Sequence, residues 1–243
     1  MIPKIIHYCW LSGDPIPNNL QKYMKTWKEK LPDYEFILWD LSRFNINSSI
    51  WVKQAFEKKK YAFAADFIRL YAIYHYGGIY MDMDVEVIKS FNDLLENPYI
   101  LSFEKEKGIE AGIFGAEKGS LIIKQCLDYY NNKQFIDENG NLDIQPLPSI
   151  MYEVLSDVYT IKKRDTHPIN FDNKTIYLYS NEYFTAKSYH TGKITQTKNT
   201  YTIHHFAGSW IPKSSKAKSL IYKIIRNSTL LFWIYNHSYK IIK

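Results

Sequence analysis

The sequence predicts an α/β fold, with a mostly parallel sheet that carries helices on both faces. Three observations indicate, in turn, this fold class, a single large domain and a packed core. Apolar runs of strand length alternate with longer segments of helical periodicity. The 243 residues suit one large domain with a short appendage. A hydrophobic fraction of 46% can fill a substantial core. Ligands of such sheets bind at the carboxyl ends of the strands, so residues that follow predicted strands are the first site candidates.

The first half of the chain alternates between the two element types. A loop rich in Pro and Asn precedes the first helix, which runs to about Leu31. Strands are predicted over 3–9, 34–39 and 79–82, and further helices over 50–60 and 61–76. The last of these helices ends at Gly77-Gly78, because glycine adopts the left-handed conformation that commonly stops a helix.

The second half continues the alternation up to a tail of different character. Strands are predicted over 100–103, 111–116, 177–179 and 201–204, and helices over 121–131 and 146–155. We predict a catalytic domain over 1–212 and a basic amphipathic helical tail over 213–243. Apolar residues of the tail recur at helical spacing, and four cations occupy the other side: Lys216, Lys218, Lys223 and Arg226. The tail either packs on the domain or lies on an anionic membrane surface through residues 216–239.

Residues 64–86 contain the most informative chemical pattern. Asp66 and Arg69 lie one turn apart on a predicted helix, and Asp82 and Asp84 follow the apolar strand after the glycine pair. Residues two apart in a strand project to one face, so both carboxylates should point into one pocket. Two such carboxylates need a positive charge between them, which a divalent cation usually supplies. A cation there can neutralise a pyrophosphate.

The spacing ADxxR followed by GGxYxDxD resembles glycosyltransferase family 32, the DXD-containing sugar transferases. That family includes bacterial capsule and polysaccharide enzymes and fungal mannosyltransferases. Two further stretches are similar to the family: IPKIIHYCW at 2–10 to its first strand, and HHFAGSW at 204–210 to its C-terminal motif. The three motifs occur in the expected order. The resemblance implies a GT-A-like fold, which is a Rossmann-like nucleotide-binding arrangement.

The resemblance also implies roles for the central motif residues. Asp84 is expected to bind the cation directly. Asp82 is expected to act through the ribose hydroxyls, through water or by sharing the ion. Asp66 and Arg69 are expected to contact the donor sugar, and the four residues together form the expected catalytic set.

The flanking motifs imply the remaining donor contacts. Trp10 is expected to stack on the nucleotide base, although a place in the core is the alternative. Tyr80 joins the donor-binding set. Ser209 and Trp210 are expected to close over the pyrophosphate, where a hydroxyl and an indole N–H can both donate.

Two adjacent histidines supply one candidate metal ligand. His204 and His205 point to opposite faces if the strand continues, so one of them can face the site. By its place in the resembling motif, three residues before Gly208, His205 is the expected ligand beside Asp82 and Asp84. An imidazole in an oxygen-rich site suits Mn²⁺ better than Mg²⁺, so the expected cofactor is Mn²⁺, with Mg²⁺ as the alternative.

These expectations combine into a metal-dependent glycosyltransferase. It would move a hexose or N-acetylhexosamine from a nucleotide-diphosphate sugar, with a UDP-sugar favoured, to a saccharide acceptor that is free or lipid-linked. The expected setting is synthesis of a bacterial surface polysaccharide. The resemblance implies retention of anomeric configuration, and the residues name no carboxylate nucleophile.

Two other functions fit part of the pattern. GIYMDMDV also matches the strand and acidic motif of a haloacid-dehalogenase-type phosphatase, in which the first Asp is a phosphorylated nucleophile. That motif normally lies near the N-terminus, whereas here it begins at residue 82. A carbohydrate- or nucleotide-binding module without turnover is the second alternative.

Charge and hydropathy restrict the partners and the location. The net charge of +6 is spread along the chain without the aromatic and basic pattern of a nucleic-acid-binding module. The sequence lacks a run of about 18 apolar residues and a recognisable signal peptide. Cys9 and Cys126 match neither a metal-binding nor a disulfide pattern. We therefore predict a cytoplasmic enzyme, which the tail could hold at the inner face of the cell membrane.

Overall fold

The computed structural model of the protein describes residues 1–105, 107–164, 171–189 and 191–207. A five-stranded sheet forms the centre, with strands β1 (Ile5–Cys9), β2 (Glu35–Trp39), β3 (Gly78–Met81), β5 (Tyr99–Ile100) and β8 (Ile113–Ala116). Their order across the sheet is β2-β1-β3-β8-β5. Strand β4 (Val85–Val87) lies outside this sheet, as do β6 (Phe103–Lys105) and β7 (Gly108–Ile109).

Strand direction in this sheet agrees with the predicted arrangement. β1 pairs in parallel with both β2 and β3, whereas β8 pairs antiparallel with both β3 and β5. Four of the five strands therefore run the same way, and β8 alone opposes them. The carboxyl ends of β1, β2 and β3 consequently meet at one edge of the sheet.

Helices cover both faces of the sheet. The described helices are α1 (Asn18–Lys30), α2 (Ile50–Glu57), α3 (Tyr61–Tyr76), α4 (Leu121–Asp128), α5 (Leu147–Ser156) and the short α6 (Asn181–Phe184), with 3₁₀ turns at Ile46–Ser48 and Asn92–Leu94. The side chains of β3 show the two faces directly. Tyr80 belongs to one apolar cluster with Ile68 of α3, and Ile79 and Met81 belong to another with Trp27 of α1. The predicted α/β class is confirmed.

The glycine pair between α3 and β3 ends the helix, as predicted. Both glycines have positive φ, +69° at Gly77 and +102° at Gly78. A Cβ at Gly78 would also lie 2.6 Å from the carbonyl oxygen of Ile5 on β1. Only glycine gives both this conformation and this close approach. The pair therefore fixes where β3 enters the sheet beside β1.

Three two-stranded ribbons complete the described fold. β6 pairs with β7, β9 (Thr160–Lys163) with β10 (Thr175–Leu178), and β4 with β11 (Thr202–His204). The antiparallel pairing of β11 with β4 sets His204 opposite Val85. This pairing brings a distant part of the sequence next to the acidic turn that follows β3.

Some predicted bounds differ from the structure. The strand predicted over 100–103 is split between β5 and β6, because the residues between them bridge to Tyr179 instead. The helices predicted over 50–60 and 121–131 end at Glu57 and Asp128. In the part of the chain that the structure describes, none of the helices is long and apolar enough to cross a membrane. The predicted tail over 213–243 lies outside the described residues.

The two cysteines are unpaired thiols, in line with the sequence pattern. Cys126 is buried in the core, and burial raises the pKa of its thiol to about 12. Cys9 ends β1, and burial raises the pKa of its thiol as well. Both thiols are therefore protonated at neutral pH, as expected of structural cysteines.

Candidate active site

Asp82 and Asp84 lie in the turn that joins β3 to β4. The strand ends at Met81, one residue before the predicted end, and the amide of Val85 donates to the carbonyl of Asp82 at 3.0 Å to close the turn. The amide of Asp82 is held by the carbonyl of Gly112 at 2.7 Å. A turn, rather than the alternation of a strand, therefore brings the two carboxylates to one side.

His204 completes a cluster with these two aspartates. One ligand atom from each of Asp82, Asp84 and His204 lies within 4.8 Å of the others. Nε2 of His204 is 3.3 Å from Oδ1 of Asp84. Two carboxylates and an imidazole at this spacing form a donor set that suits a divalent cation such as Mn²⁺.

The structure places His205 elsewhere, which differs from the sequence-based expectation for the metal ligand. Its Nε2 lies 2.7 Å from Oε2 of Glu86, and its ring stacks on Tyr23 with centroids 4.2 Å apart. The expected alternation of faces is present, but the register of β11 against β4 turns His204 toward the aspartates. The motif does not contain that register, which is why its resemblance to the family pointed to His205 whereas the structure places His204 beside the aspartates.

Arg69 connects the helix of the ADxxR motif to the acidic turn. Its guanidinium lies 3.3 Å from Asp66 and 3.5 Å from Asp82, and it donates to the carbonyl of Ala111 at 2.7 Å. It also covers the ring of Tyr80 at 4.7 Å, and the Tyr80 hydroxyl donates to Asp82 at 2.8 Å. The structure thus brings Asp66, Arg69, Asp82 and Tyr80 into one network, and Asp84 of the expected catalytic set lies beside it in the cluster with Asp82 and His204.

Burial and the shared guanidinium set the charges on the inner carboxyls. Burial raises the pKa of Asp66 to about 7, against the attraction of Arg69. Burial also raises the pKa of Asp82, while Arg69 lowers it and the neighbouring Asp84 raises it further. Two carboxylates with one cation between them thus leave a deficit of positive charge, which an additional cation would relieve.

Asp84 and His204 form the opposite electrostatic case. Burial by itself would raise the pKa of Asp84, but the charge of His204 and hydrogen bonds from His204 and the amide of Ala207 bring it down to about 2. The Ala207 amide donates to the second oxygen of Asp84 at 2.6 Å. The pKa of His204 is raised, because attraction by Glu110 and Asp84 outweighs the effect of burial. Asp84 is therefore ionised throughout the physiological pH range.

The segment Glu110–Gly112 is a part of the site that the sequence analysis missed. Glu110 is 2% exposed, and its Oε1 lies 3.2 Å from Nδ1 of His204. A Cβ at Gly112 would lie 2.4 Å from Cε1 of His204, so only glycine fits there. The segment also provides the carbonyls that hold Arg69 and Asp82. An acid two residues before a glycine in an otherwise apolar stretch was its only sequence signal.

The expected base-stacking residue lies at the same edge of the sheet. Trp10 follows β1 directly, is half-buried, and donates its indole N–H to the carbonyl of Asp14 at 2.7 Å. Its base-stacking role stays a prediction. Ser209 and Trp210 lie outside the described residues.

Comparison with known proteins places these features in context. Residues 17–101 match the family described as "Glycosyltransferase sugar-binding region containing DXD motif". The chain is 31% identical over 130 residues to inositol phosphoceramide mannosyltransferase 3 of Schizosaccharomyces pombe, which covers 52% of this chain and 36% of that protein. It is 30% identical over 143 residues to a mannosyl phosphorylinositol ceramide synthase of Saccharomyces cerevisiae, over 56% of this chain and 37% of that protein. The chain thus spans little more than a third of these two relatives.

A viral protein and a solved structure extend the comparison. An uncharacterised glycosyltransferase of Acanthamoeba polyphaga mimivirus is 30% identical over 145 residues, which are 57% of this chain and 58% of that protein. The structure of the PaToxG glycosyltransferase superposes with a TM-score of 0.50 at 19% identity, covering 64% of this chain and 68% of that one. At this identity the likeness concerns the fold. Residues 17–101 therefore resemble the sugar-binding region of DXD-containing glycosyltransferases, and the chain has a fold of the GT-A-like type.

Proposed function

We propose that the protein is a metal-dependent glycosyltransferase that transfers a hexosyl group from a nucleotide-diphosphate sugar. The observation that carries this proposal is the convergence of Asp82, Asp84 and His204 on one point, next to the Asp66–Arg69 pair. A cation held there, Mn²⁺ or Mg²⁺, would neutralise the diphosphate and stabilise it as a leaving group.

The residues of the site have separate roles in binding the cation and the donor. Asp82, Asp84 and His204 would hold the cation. Arg69 keeps Asp82 in place, and with Asp66 it faces the donor sugar. His204 must lose its proton to act as a ligand, so cation affinity should increase with pH. Transfer to the acceptor hydroxyl is expected to retain the anomeric configuration.

The base, the sugar and the acceptor are open to direct test. A UDP-sugar donor and a saccharide acceptor of a bacterial surface polysaccharide remain the sequence-based proposal. The names of the two yeast relatives add mannose as a donor sugar and an inositol-phosphate lipid as an acceptor. A lipid-linked acceptor agrees with both alternatives. The donor panel should therefore include mannose, glucose and N-acetylhexosamine on both uridine and guanosine diphosphates.

The family match supports transfer over the phosphatase. It covers both the ADxxR helix and the acidic turn, which lie in residues 17–101. In a phosphatase of the haloacid-dehalogenase type, Asp82 would have to attack a phosphorus atom. Here one oxygen of Asp82 accepts the Tyr80 hydroxyl and lies beside Arg69, which lowers its nucleophilicity. A binding module without turnover would retain the geometry, so only an activity assay separates it from an enzyme.

Release of free nucleoside diphosphate from the donor panel tests the proposal. The assay is run with Mn²⁺ and with a chelator, and a phosphomonoester is included as the phosphatase substrate. We expect Mn²⁺-dependent hydrolysis of one donor and no turnover of the phosphomonoester. Turnover of the phosphomonoester alone would support the phosphatase, and nucleotide-sugar binding without turnover would support the binding module.

A further inference from the structure

Glu110 is a buried carboxylate for which the transfer reaction has no direct use. It lies between β7 and β8 and is 2% exposed. Oε1 accepts the amide of Gly112 at 2.7 Å, and Oε2 accepts the hydroxyl of Thr185 at 2.7 Å. Both oxygens are thus fixed by the surrounding chain. A carboxylate held this firmly can in turn hold another group.

The group that Glu110 holds is the imidazole of His204. Nδ1 of His204 lies 3.2 Å from Oε1 of Glu110, and Nε2 points the other way, 3.3 Å from Asp84. When Nδ1 donates to Glu110, the lone pair of a neutral imidazole is on Nε2, the nitrogen that faces the aspartates. Gly112 closes off the third side, since a side chain there would collide with the ring. Glu110 and Gly112 therefore hold the ring in one orientation, with Nε2 toward the aspartates.

We propose that Glu110 is a positioning residue that sets the tautomer and orientation of His204 as a metal ligand, and that Thr185 fixes Glu110 for this task. The inference rests on the proposed metal-dependent function. A carboxylate that accepts the distal N–H of a ligating histidine raises its basicity, and loss of such a partner typically weakens metal affinity by about 10- to 100-fold. Glu110 itself need not touch the cation or the donor.

The direct test is Mn²⁺ affinity, measured from the electron paramagnetic resonance signal of free Mn²⁺ with and without UDP. We expect Glu110→Gln to raise the Mn²⁺ dissociation constant by about 10-fold or more. Thr185→Val should raise it by a smaller factor. Thr200→Val is the matched control, because Thr200 is equally buried and bonds through its hydroxyl to the carbonyl of Glu182 rather than to Glu110.

A double-mutant cycle separates positioning from a general structural role. If Glu110 acts through His204, Glu110→Gln should add nothing to the loss of Mn²⁺ affinity caused by His204→Ala. Equal losses in both backgrounds, or an unchanged dissociation constant in Glu110→Gln, would overturn the proposal. If Glu110→Gln does not fold, Thr185→Val decides: weakened affinity with a normal Thr200→Val supports the proposal, and unchanged affinity refutes it.

Failure of the proposed function gives a different result. If the wild type hydrolyses a donor but His204→Ala binds Mn²⁺ as tightly as the wild type, the role of Glu110 is refuted while the transferase remains. A wild-type protein that binds no Mn²⁺ would overturn the metal site and this proposal together.

Discussion

Asp66 and Asp82 share one counter-ion, the guanidinium of Arg69. It lies 3.3 Å and 3.5 Å from the two carboxyls and is itself 6% exposed. Breaking a buried arrangement of this kind by removing one partner typically costs about 3–5 kcal/mol. The stability of the site therefore depends on these charges. Substitutions at Arg69 should be assayed for donor binding as well as for turnover.

The two adjacent histidines give a matched pair of substitutions. His204→Ala removes the imidazole that faces the aspartates, so we expect the Mn²⁺ dissociation constant to rise at least about 10-fold, which is about 1.4 kcal/mol. His205→Ala removes a ring that bonds to Glu86 and stacks on Tyr23. It should change Mn²⁺ affinity much less. Mn²⁺ titration of both variants checks this, and a larger effect at His205 would contradict the assignment.

His7 should make the stability of the fold depend on pH. It donates from Nε2 to the carbonyl of Gly77 at 2.8 Å and accepts the indole N–H of Trp39 at 3.0 Å. Burial lowers its pKa from 6.5 to about 4. The unfolded chain therefore binds this proton more readily, so the contribution is complete above about pH 6.5 and is lost as the pH falls toward 4. At roughly 1.4 kcal/mol per pKa unit, its size is about 3 kcal/mol.

Comparison with a variant isolates this contribution. The buried carboxyl of Asp66, whose pKa is raised, changes stability in the opposite direction over a similar range. The free energy of unfolding of the wild type minus that of His7→Gln should therefore be measured at several pH values. We expect this difference to shrink between pH 7 and 4. A difference independent of pH would contradict the prediction, and the exposed His75→Gln serves as the control.

At the scale of elements, β3 depends on the glycine pair that precedes it. The pair lets α3 end and the chain enter the sheet between β1 and β8, which carries Asp82 to the carboxyl edge. The sequence predicted this junction, because glycine is the residue that such a turn requires. It did not predict that the acidic pair lies in a turn, since a period of two and a tight turn can bring the same two side chains together.

A glycine substitution at this junction and one in a distant turn separate backbone strain from steric collision. Gly140 has φ of +82° with nothing within 4 Å of a Cβ, whereas a Cβ at Gly78 would meet the Ile5 carbonyl at 2.6 Å. Gly140→Ala should cost only the conformational strain, about 1 kcal/mol. Gly78→Ala should cost about 3 kcal/mol or more, because the sheet must shift as well. Chemical denaturation measures both, and equal costs would contradict the steric account.

For the molecule as a whole, features that depend on neighbouring residues could be predicted from the sequence, whereas features that depend on long-range strand register could not. The alternating elements, the glycine pair and the acidic motif were readable because each depends on neighbouring residues. The pairing of β4 with β11 and the place of Glu110 were not, because they join segments more than 90 residues apart. That register decided which histidine meets the aspartates.

The predicted tail over 213–243 adds a test on the full chain. If its cations lie on an anionic membrane surface, the protein should sediment with anionic vesicles at low salt and less at high salt, because salt screens the lysines. A chain that ends at Pro212 should stay in the supernatant under both conditions. Co-sedimentation measures this, and absence of binding by the full chain at low salt would rule out the membrane interpretation.

In the proposed mechanism, Asp84 helps to hold the cation that binds the diphosphate. Asp84→Asn keeps the size of the side chain and removes the charge of one ligand. The most direct measurement is Mn²⁺-dependent nucleoside diphosphate release from the active donor, by wild type and by Asp84→Asn, with thermal unfolding as the check on folding. We predict a loss of at least about 100-fold, or about 2.7 kcal/mol, in a variant that remains folded. Undiminished turnover by Asp84→Asn, or by the wild type in a chelator, would contradict the claim.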